Sequence, residues 1–245
     1  GSEIEEWGEF ACSDASINQL YNNIWWGQRG NFLSVPTDCP QRDERLGWTG
    51  DTQIFARTAL YNSDAKDFYR KWMRDLRNSQ REDGAYPDIA PYNNFWGYGT
   101  AAWGDAGVIL PWTVYEMTGD RTILEENYAS MTRYMQWLST QEETVEGKRY
   151  THIGAGTATG DWLAYAPIES RYVSMAYYAY VAQLMDSISA TLGKQREVES
   201  YRRLYGDIRK EFQQRYMLPD GALREHTQTA YLLALRFDLL PEQHR

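Results

Sequence analysis

The sequence predicts an all-α fold in which one layer of helices lies inside another, an α/α toroid. Three observations predict it. Helix-length stretches almost free of charge alternate with stretches whose apolar residues recur every three or four positions. The connections between them also alternate, long and then short. Apart from a possible short pair of strands around Arg149 to Ile153, no convincing run alternates apolar and polar residues as a β-hairpin would. A plain bundle would make every helix amphipathic in the same way. Inner helices covered on most sides and outer helices wetted on one face account for the alternation.

Taken in order, Ser13-Asp14 can cap a helix running to about Arg29, with Ile17, Leu20, Tyr21 and Ile24 on one face. From Trp48 to about Tyr61 the only formal charges are Asp51 and Arg57. Asp64 opens a one-sided helix with Ala65, Phe68, Tyr69, Trp72, Met73 and Leu76 in its stripe. Trp103 to about Met117 is again nearly uncharged, and 120–139 is amphipathic through Leu124, Tyr128, Met131, Met135 and Leu138. Tyr172 to Met185 is charge-free. Val198, Tyr201, Tyr205, Ile208 and Phe212 form the next stripe, and Thr227 to Leu235 carries no charge.

The long connections, 30–47, 80–102 and 140–168, each lead from an outer helix to an inner one, whereas the returns at Asn62-Ser63 and Thr118-Gly119 are tight. Structureless loops beyond about 12–15 residues are uncommon unless functional. One rim of the toroid therefore carries all the long loops, and a binding site belongs there.

Composition narrows what that site can hold. The net charge of −9 argues against nucleic acid, whose partners show basic patches. No window approaches the roughly 20 apolar residues of a membrane span. The 10 Trp and 19 Tyr offer flat apolar faces with a polar edge, suited to packing and to stacking on sugar rings. Cys12 and Cys39 are too few for a disulfide framework, and His152, His226 and His244 show no metal-ligand spacing, so no metal centre is expected. Gly1-Ser2 reads as a cloning remnant, which leaves the native start and the compartment open, with a periplasmic or secreted location expected ahead of a cytoplasmic one.

The first long loop is the most informative. Between Thr37 and Asp51 it places Asp38, Asp43, Glu44 and Asp51 beside Arg42, Arg45 and Trp48, and Pro36, Pro40, Gly47 and Gly50 make regular structure through it unlikely. Charges of both signs let the arginines hold carboxylates by paired hydrogen bonds. The second loop enters its helix at Trp103-Gly104-Asp105, and the third ends in Gly160-Asp161-Trp162-Leu163. For one such Trp/Asp pair, a core indole beside a helix-capping acid is the simpler account. Three on one rim point to a carbohydrate pocket, with carboxylates accepting from hydroxyls and indoles covering the ring.

The run Asp38-Cys39-Pro40-Gln41-Arg42-Asp43-Glu44-Arg45-Leu46-Gly47-Trp48-Thr49-Gly50-Asp51 closely resembles the signature of the α-L-rhamnosidases of glycoside hydrolase family 78. Trp103-Gly104-Asp105-Ala106 and Gly160-Asp161-Trp162-Leu163 resemble further family segments, and the likeness extends to Thr227-Gln228-Thr229-Ala230-Tyr231. The resemblance implies a six-hairpin (α/α)6 catalytic domain acting on terminal α-L-rhamnosides in glycosides, oligosaccharides or polysaccharides, by inversion and without a metal or other cofactor. It implies Glu44 as general acid, with Asp38, Arg42, Trp48 and Asp51 lining the rhamnose pocket and Trp103 and Trp162 as aromatic walls. Asp43 is the rival for the acid role.

The chain shows about four of the six inner–outer pairs, so residues 1–245 read as the N-terminal two-thirds of one domain. The water-activating carboxylate is expected beyond Arg245, which makes this fragment inactive by itself, with Asp51 or Asp105 the first substitutes to test within it. The alternatives are a non-catalytic carbohydrate-binding module and another (α/α)6 carbohydrate-active enzyme. About four further helices with a Trp- and Glu-bearing loop in the coding sequence would favour the hydrolase.

Overall fold

Asp14 caps the first helix, α1 (Ala15–Asn31), its carboxylate accepting from the backbone N–H groups of Ser16 and Ile17. The computed structural model, which describes residues 4–39, 41–141, 143–145, 148–150 and 160–244, continues with α2 (Thr49–Asn62), α3 (Lys66–Asn78), α4 (Ala106–Thr118) and α5 (Thr122–Thr140). Then come α6 (Ser170–Thr191), α7 (Gln195–Tyr216) and α8 (Gln228–Arg236), the last capped by the Thr227 hydroxyl. Two three-residue strands, Glu143–Val145 and Lys148–Tyr150, pair antiparallel with Thr144 opposite Arg149. The expected strand pair therefore falls slightly earlier, and residues 151–153 lie outside the described set.

The layering follows the charge pattern. Charge-poor α2, α4, α6 and α8 pack side by side in that order, and α3, α5 and α7 cover them from outside. The stripes of the outer helices supply much of the core: Tyr69, Trp72, Met73 and Leu76 from α3, Leu124, Met131 and Leu138 from α5, and Ile208 and Phe212 from α7 are all buried. α6 runs past the charge-free stretch to Thr191, where the Ser187 and Thr191 hydroxyls donate to the carbonyls of Gln183 and Ser187.

α1 departs from expectation. Its apolar face exists, but Ile17, Leu20 and Ile24 are exposed and Gln28 is the buried residue of the helix. Gln28 holds α1 to α2 by donating to Ala59 O and Ser63 Oγ and accepting from Asn62 Nδ2. The inner helices at the two ends of the arc are also bare on one side, with Ile54 and Tyr61 of α2 and Leu232 and Leu235 of α8 exposed.

The inner-to-outer returns are three residues each, 63–65, 119–121 and 192–194. Three of the outer-to-inner connections, 32–48, 79–105 and 141–169, are far longer, and their described residues Asp38, Trp103 and Trp162 come together at one cavity.

Candidate active site

The first long loop closes on itself at its base. Asp38 N–H donates to Leu46 O at 3.0 Å, and Leu46 N–H donates back to Asp38 Oδ1 at 2.9 Å. Beyond that clamp the chain is zipped to the second loop: Ala90 N–H donates to Gly47 O, and both the backbone and hydroxyl of Thr49 donate to Asp88 O. Trp72 of α3 braces the pair from below through Nε1 to Ala90 O at 2.9 Å. A loop rich in charge is thus held by backbone bonds on both flanks, which fixes where its carboxylates stand.

Glu44 is held through both of its oxygens. Its Oε1 accepts from Trp48 Nε1 at 2.9 Å, and its Oε2 accepts from Arg42 Nε at 2.9 Å and Nη2 at 2.7 Å. Asp43, its neighbour, points into solvent with a side-chain exposure of 102%, against 27% for Glu44, and meets only Arg45 at 3.5 Å. The adjacent acids do point apart.

Ligand atoms of Asp38, Cys39 and Glu44 all lie within 4.8 Å of one another. Burial would raise the Asp38 pKa, but hydrogen bonds from the Cys39 thiol, Leu46 N–H and the N–H groups of Asp38 and Cys39 outweigh it and bring the value below the usual carboxylate range. For Cys39, burial together with the Asp38 charge pushes the thiol up, so it stays protonated. Asp51, in the first turn of α2, goes the other way from Asp38: the surrounding wall raises its carboxyl pKa, and the charges of Asp38 and Glu44 add to the rise.

Next to this cluster lies a cavity of about 610 Å³, within the range of roughly 300–1,000 Å³ usual for small-molecule sites. Asp38, Asp51, Trp103 and Trp162 line it, together with Gln28, Gln53 and Ile54. Four expected site residues, drawn from all three long loops and the start of α2, therefore converge. Glu44, Arg42 and Trp48 do not line the cavity but stand beside it. The Trp48 indole N–H is turned to Glu44, while its ring leans on Trp96 at 5.0 Å.

The repeated Trp/Asp pairing also resolves unequally. Asp105 is buried, with Oδ2 accepting from Ala102 N–H at 2.7 Å and Oδ1 from the Tyr134 hydroxyl at 2.9 Å. With both oxygens engaged beneath the loop, it is unsuited to activate water. Asp161 accepts from Thr229 Oγ1 at 2.5 Å and ties the third loop to α8. Asp51 alone of the three faces the cavity. Sequence reasoning missed Gln53, which lines the cavity and donates to Ala102 O. It also missed Asp88, whose carboxylate accepts from the Thr100 N–H and hydroxyl.

Burial, opposed by its two hydrogen bonds, pushes the Asp105 carboxyl up to about 6. In the unfolded chain it titrates near 3.9, about two units lower, so the native state holds the proton more tightly. Stability from this group is fully present below about pH 4 and is lost as pH rises through about 6, an expected loss of about 3 kcal/mol. Asp105→Asn should remove that component, so urea unfolding at about pH 4 and pH 7 should differ less in the variant than in the unsubstituted chain. An unchanged difference would show that Asp105 does not titrate in this window.

Residues 5–245 match the family model described as the bacterial alpha-L-rhamnosidase 6 hairpin glycosidase domain. An α-L-rhamnosidase of Streptomyces avermitilis is 41% identical over 97% of this chain and 22% of that protein. One of Formosa agariphila is 38% identical over 100% of this chain and 27% of that protein. The chain thus spans about a quarter of the length of these curated relatives. Among solved structures, the S. avermitilis α-L-rhamnosidase complexed with L-rhamnose superposes with a TM-score of 0.92 at 39% identity, covering 100% of this chain and 23% of that one. The native enzyme from Aspergillus terreus superposes with a TM-score of 0.87 at 37% identity, covering 99% of this chain and 29% of that one.

Proposed function

We propose, starting from the fact that this chain belongs to the bacterial α-L-rhamnosidase six-hairpin glycosidase family, that it forms the donor side of the active site in a longer enzyme hydrolysing terminal α-L-rhamnosides. The observation that carries the reading is the placement of Glu44. It is the inward member of an acid pair, fixed by Arg42 and Trp48 beside a cavity lined by Asp38, Asp51, Trp103 and Trp162. The rhamnosyl ring occupies the cavity, with Trp103 and Trp162 against its apolar face and Asp38 and Asp51 accepting from its hydroxyls.

Glu44 gives its proton to the glycosidic oxygen as the bond from that oxygen to the anomeric carbon breaks, so the leaving group departs as an alcohol. Glu44 Oε1 accepts from Trp48 and Oε2 from Arg42, and Oε1 keeps a second lone pair for the proton while both donors hold the side chain. Arg42 is the more exposed of the two and has room to turn toward substrate. Water adds to the opposite face of the anomeric carbon, losing a proton to a second carboxylate about 6.5–9.5 Å from the first. We place that base beyond Arg245. Sugar and alcohol are released, and Glu44 regains its proton from solvent.

The test is an NMR time course with an aryl α-L-rhamnoside. The parent enzyme should release β-L-rhamnose first, and the 245-residue chain alone should release none. First-formed α-rhamnose would overturn inversion. Turnover by the chain alone would place the base within it, with Asp51 the first to examine.

A further inference from the structure

The reading above leaves open where the leaving group lies, and the geometry points to a site for it. We infer that Phe95 and Trp96 form a platform on which the leaving group stacks, and that it favours a planar aromatic aglycone. This inference rests on Glu44 being the proton donor. A general acid must come within about 2.6–3.2 Å of the oxygen it protonates. If the sugar ring fills the cavity, the rest of the substrate continues past Glu44 on the side away from it.

Beside Glu44, and outside the lining of the cavity, stands a chain of three rings. Trp48 donates its indole N–H to Glu44 Oε1, its ring lies 5.0 Å from that of Trp96, and Trp96 meets Phe95 edge-on at 5.2 Å. None of the three lines the cavity. Phe95 is 77% exposed and Trp96 43% exposed. A single exposed aromatic residue is ordinary. Two in succession, continuous with an indole bonded to the donor, form an apolar ledge leading away from the reacting oxygen.

The ledge is held in place. Phe95 N–H donates to Asn93 Oδ1 at 3.1 Å, the Tyr92 hydroxyl donates to Trp96 O at 3.0 Å, and Asp88 N–H donates to Gly97 O at 3.1 Å. A ring presented by a braced loop loses little freedom when a ligand stacks on it. Phe95 and Trp96 bring no carboxylate to accept hydroxyls as Asp38 and Asp51 do beside the indoles of the cavity, which suits a flat aromatic face better than a second sugar.

The experiment uses the parent enzyme with Phe95→Ala, Trp96→Ala and the double variant, on three substrates. These are 2-naphthyl α-L-rhamnoside, a rhamnosyl-glucose disaccharide and α-L-rhamnosyl fluoride, which has no aglycone. The kcat/KM ratio of naphthyl rhamnoside to fluoride should fall about tenfold in the double variant, mainly through KM, with a smaller fall for the disaccharide ratio. Phe95→Ala should show part of this alone, and because the ring it removes is mostly in solvent the fold should be kept. An unchanged ratio would overturn the inference, as would an equal loss on all three substrates, which marks a structural role. A disaccharide ratio that falls as far as the naphthyl one would overturn the aromatic preference. If the unsubstituted enzyme fails to turn over rhamnosyl fluoride, the underlying reading falls, and this inference with it.

Discussion

Glu44→Gln in the parent enzyme should lower kcat on a rhamnoside with a poor leaving group by several orders of magnitude, and by far less on one with an activated phenol. General acid catalysis alone is worth about 10²–10⁴-fold, and the leaving oxygen that most needs a proton should suffer most. The substitution is a clean one here. The glutamine carbonyl can still accept from Trp48 Nε1, so the bond that positions the side chain survives while the transferable proton is lost. Arg42 loses its ionic partner but was already half in solvent. Circular dichroism and thermal midpoint should therefore stay near those of the unsubstituted enzyme. Equal losses on both substrates would sink the donor assignment. Asp43→Asn is the matched control, and its side chain, fully in water, should leave the leaving-group dependence as it was.

Gly99→Ala should destabilise the fold more than any single truncation at the pocket. Gly99 has φ +71°, a left-handed conformation that costs about 1–2 kcal/mol for a residue with a β-carbon. An added β-carbon would also overlap the ring of Trp137. That ring is nearly buried and stacks on Tyr134 at 5.7 Å, and Tyr134 in turn donates to Asp105, so the indole cannot shift without disturbing the network beneath the second loop. Overpacking adds about 1–3 kcal/mol, and the sum of about 2–5 kcal/mol is a large part of a domain's usual 5–15 kcal/mol. Urea unfolding should show it. Adding Trp137→Leu to the variant should recover part of the loss, because it relieves the overlap and leaves the backbone strain. A variant as stable as the unsubstituted chain would show that the loop relaxes freely.

The helices were legible because their physics is periodic. In the stripe of α3, Ala65, Tyr69, Trp72, Met73 and Leu76 are buried as their spacing implied and Phe68 is half-buried, and the charge-free stretches became the inner layer. Periodicity reports which face is apolar and not whether a neighbour covers it, and on α1 Ile17, Leu20 and Ile24 share a face and are exposed. The loops carry no period, and there the residue types alone misled. Asp105 and Asp161 sit beside tryptophans as Asp51 does, yet their carboxylates brace Ala102, Tyr134 and Thr229. What separates them is which backbone N–H and hydroxyl groups come within reach, and that depends on contacts distant in sequence. The choice of Glu44 over Asp43 comes chiefly from the resemblance; in the structure Glu44 is held by Arg42 and Trp48 while Asp43 stands in solvent.

The two rims of the helical arc differ in how they can absorb a change in length. A residue added to 119–121 or 192–194 has no slack to take it up, because those turns join α4 to α5 and α6 to α7, which pack directly on each other. It would shift one helix along its neighbour and pull buried residues such as Leu124 or Val198 out of register. On the opposite rim, insertions between the braced points of the long connections lengthen the cavity walls and leave every helix where it was. Divergence within this architecture is thereby channelled: the depth and reach of the pocket can drift between descendants of one ancestor, while the scaffold beneath stays nearly fixed.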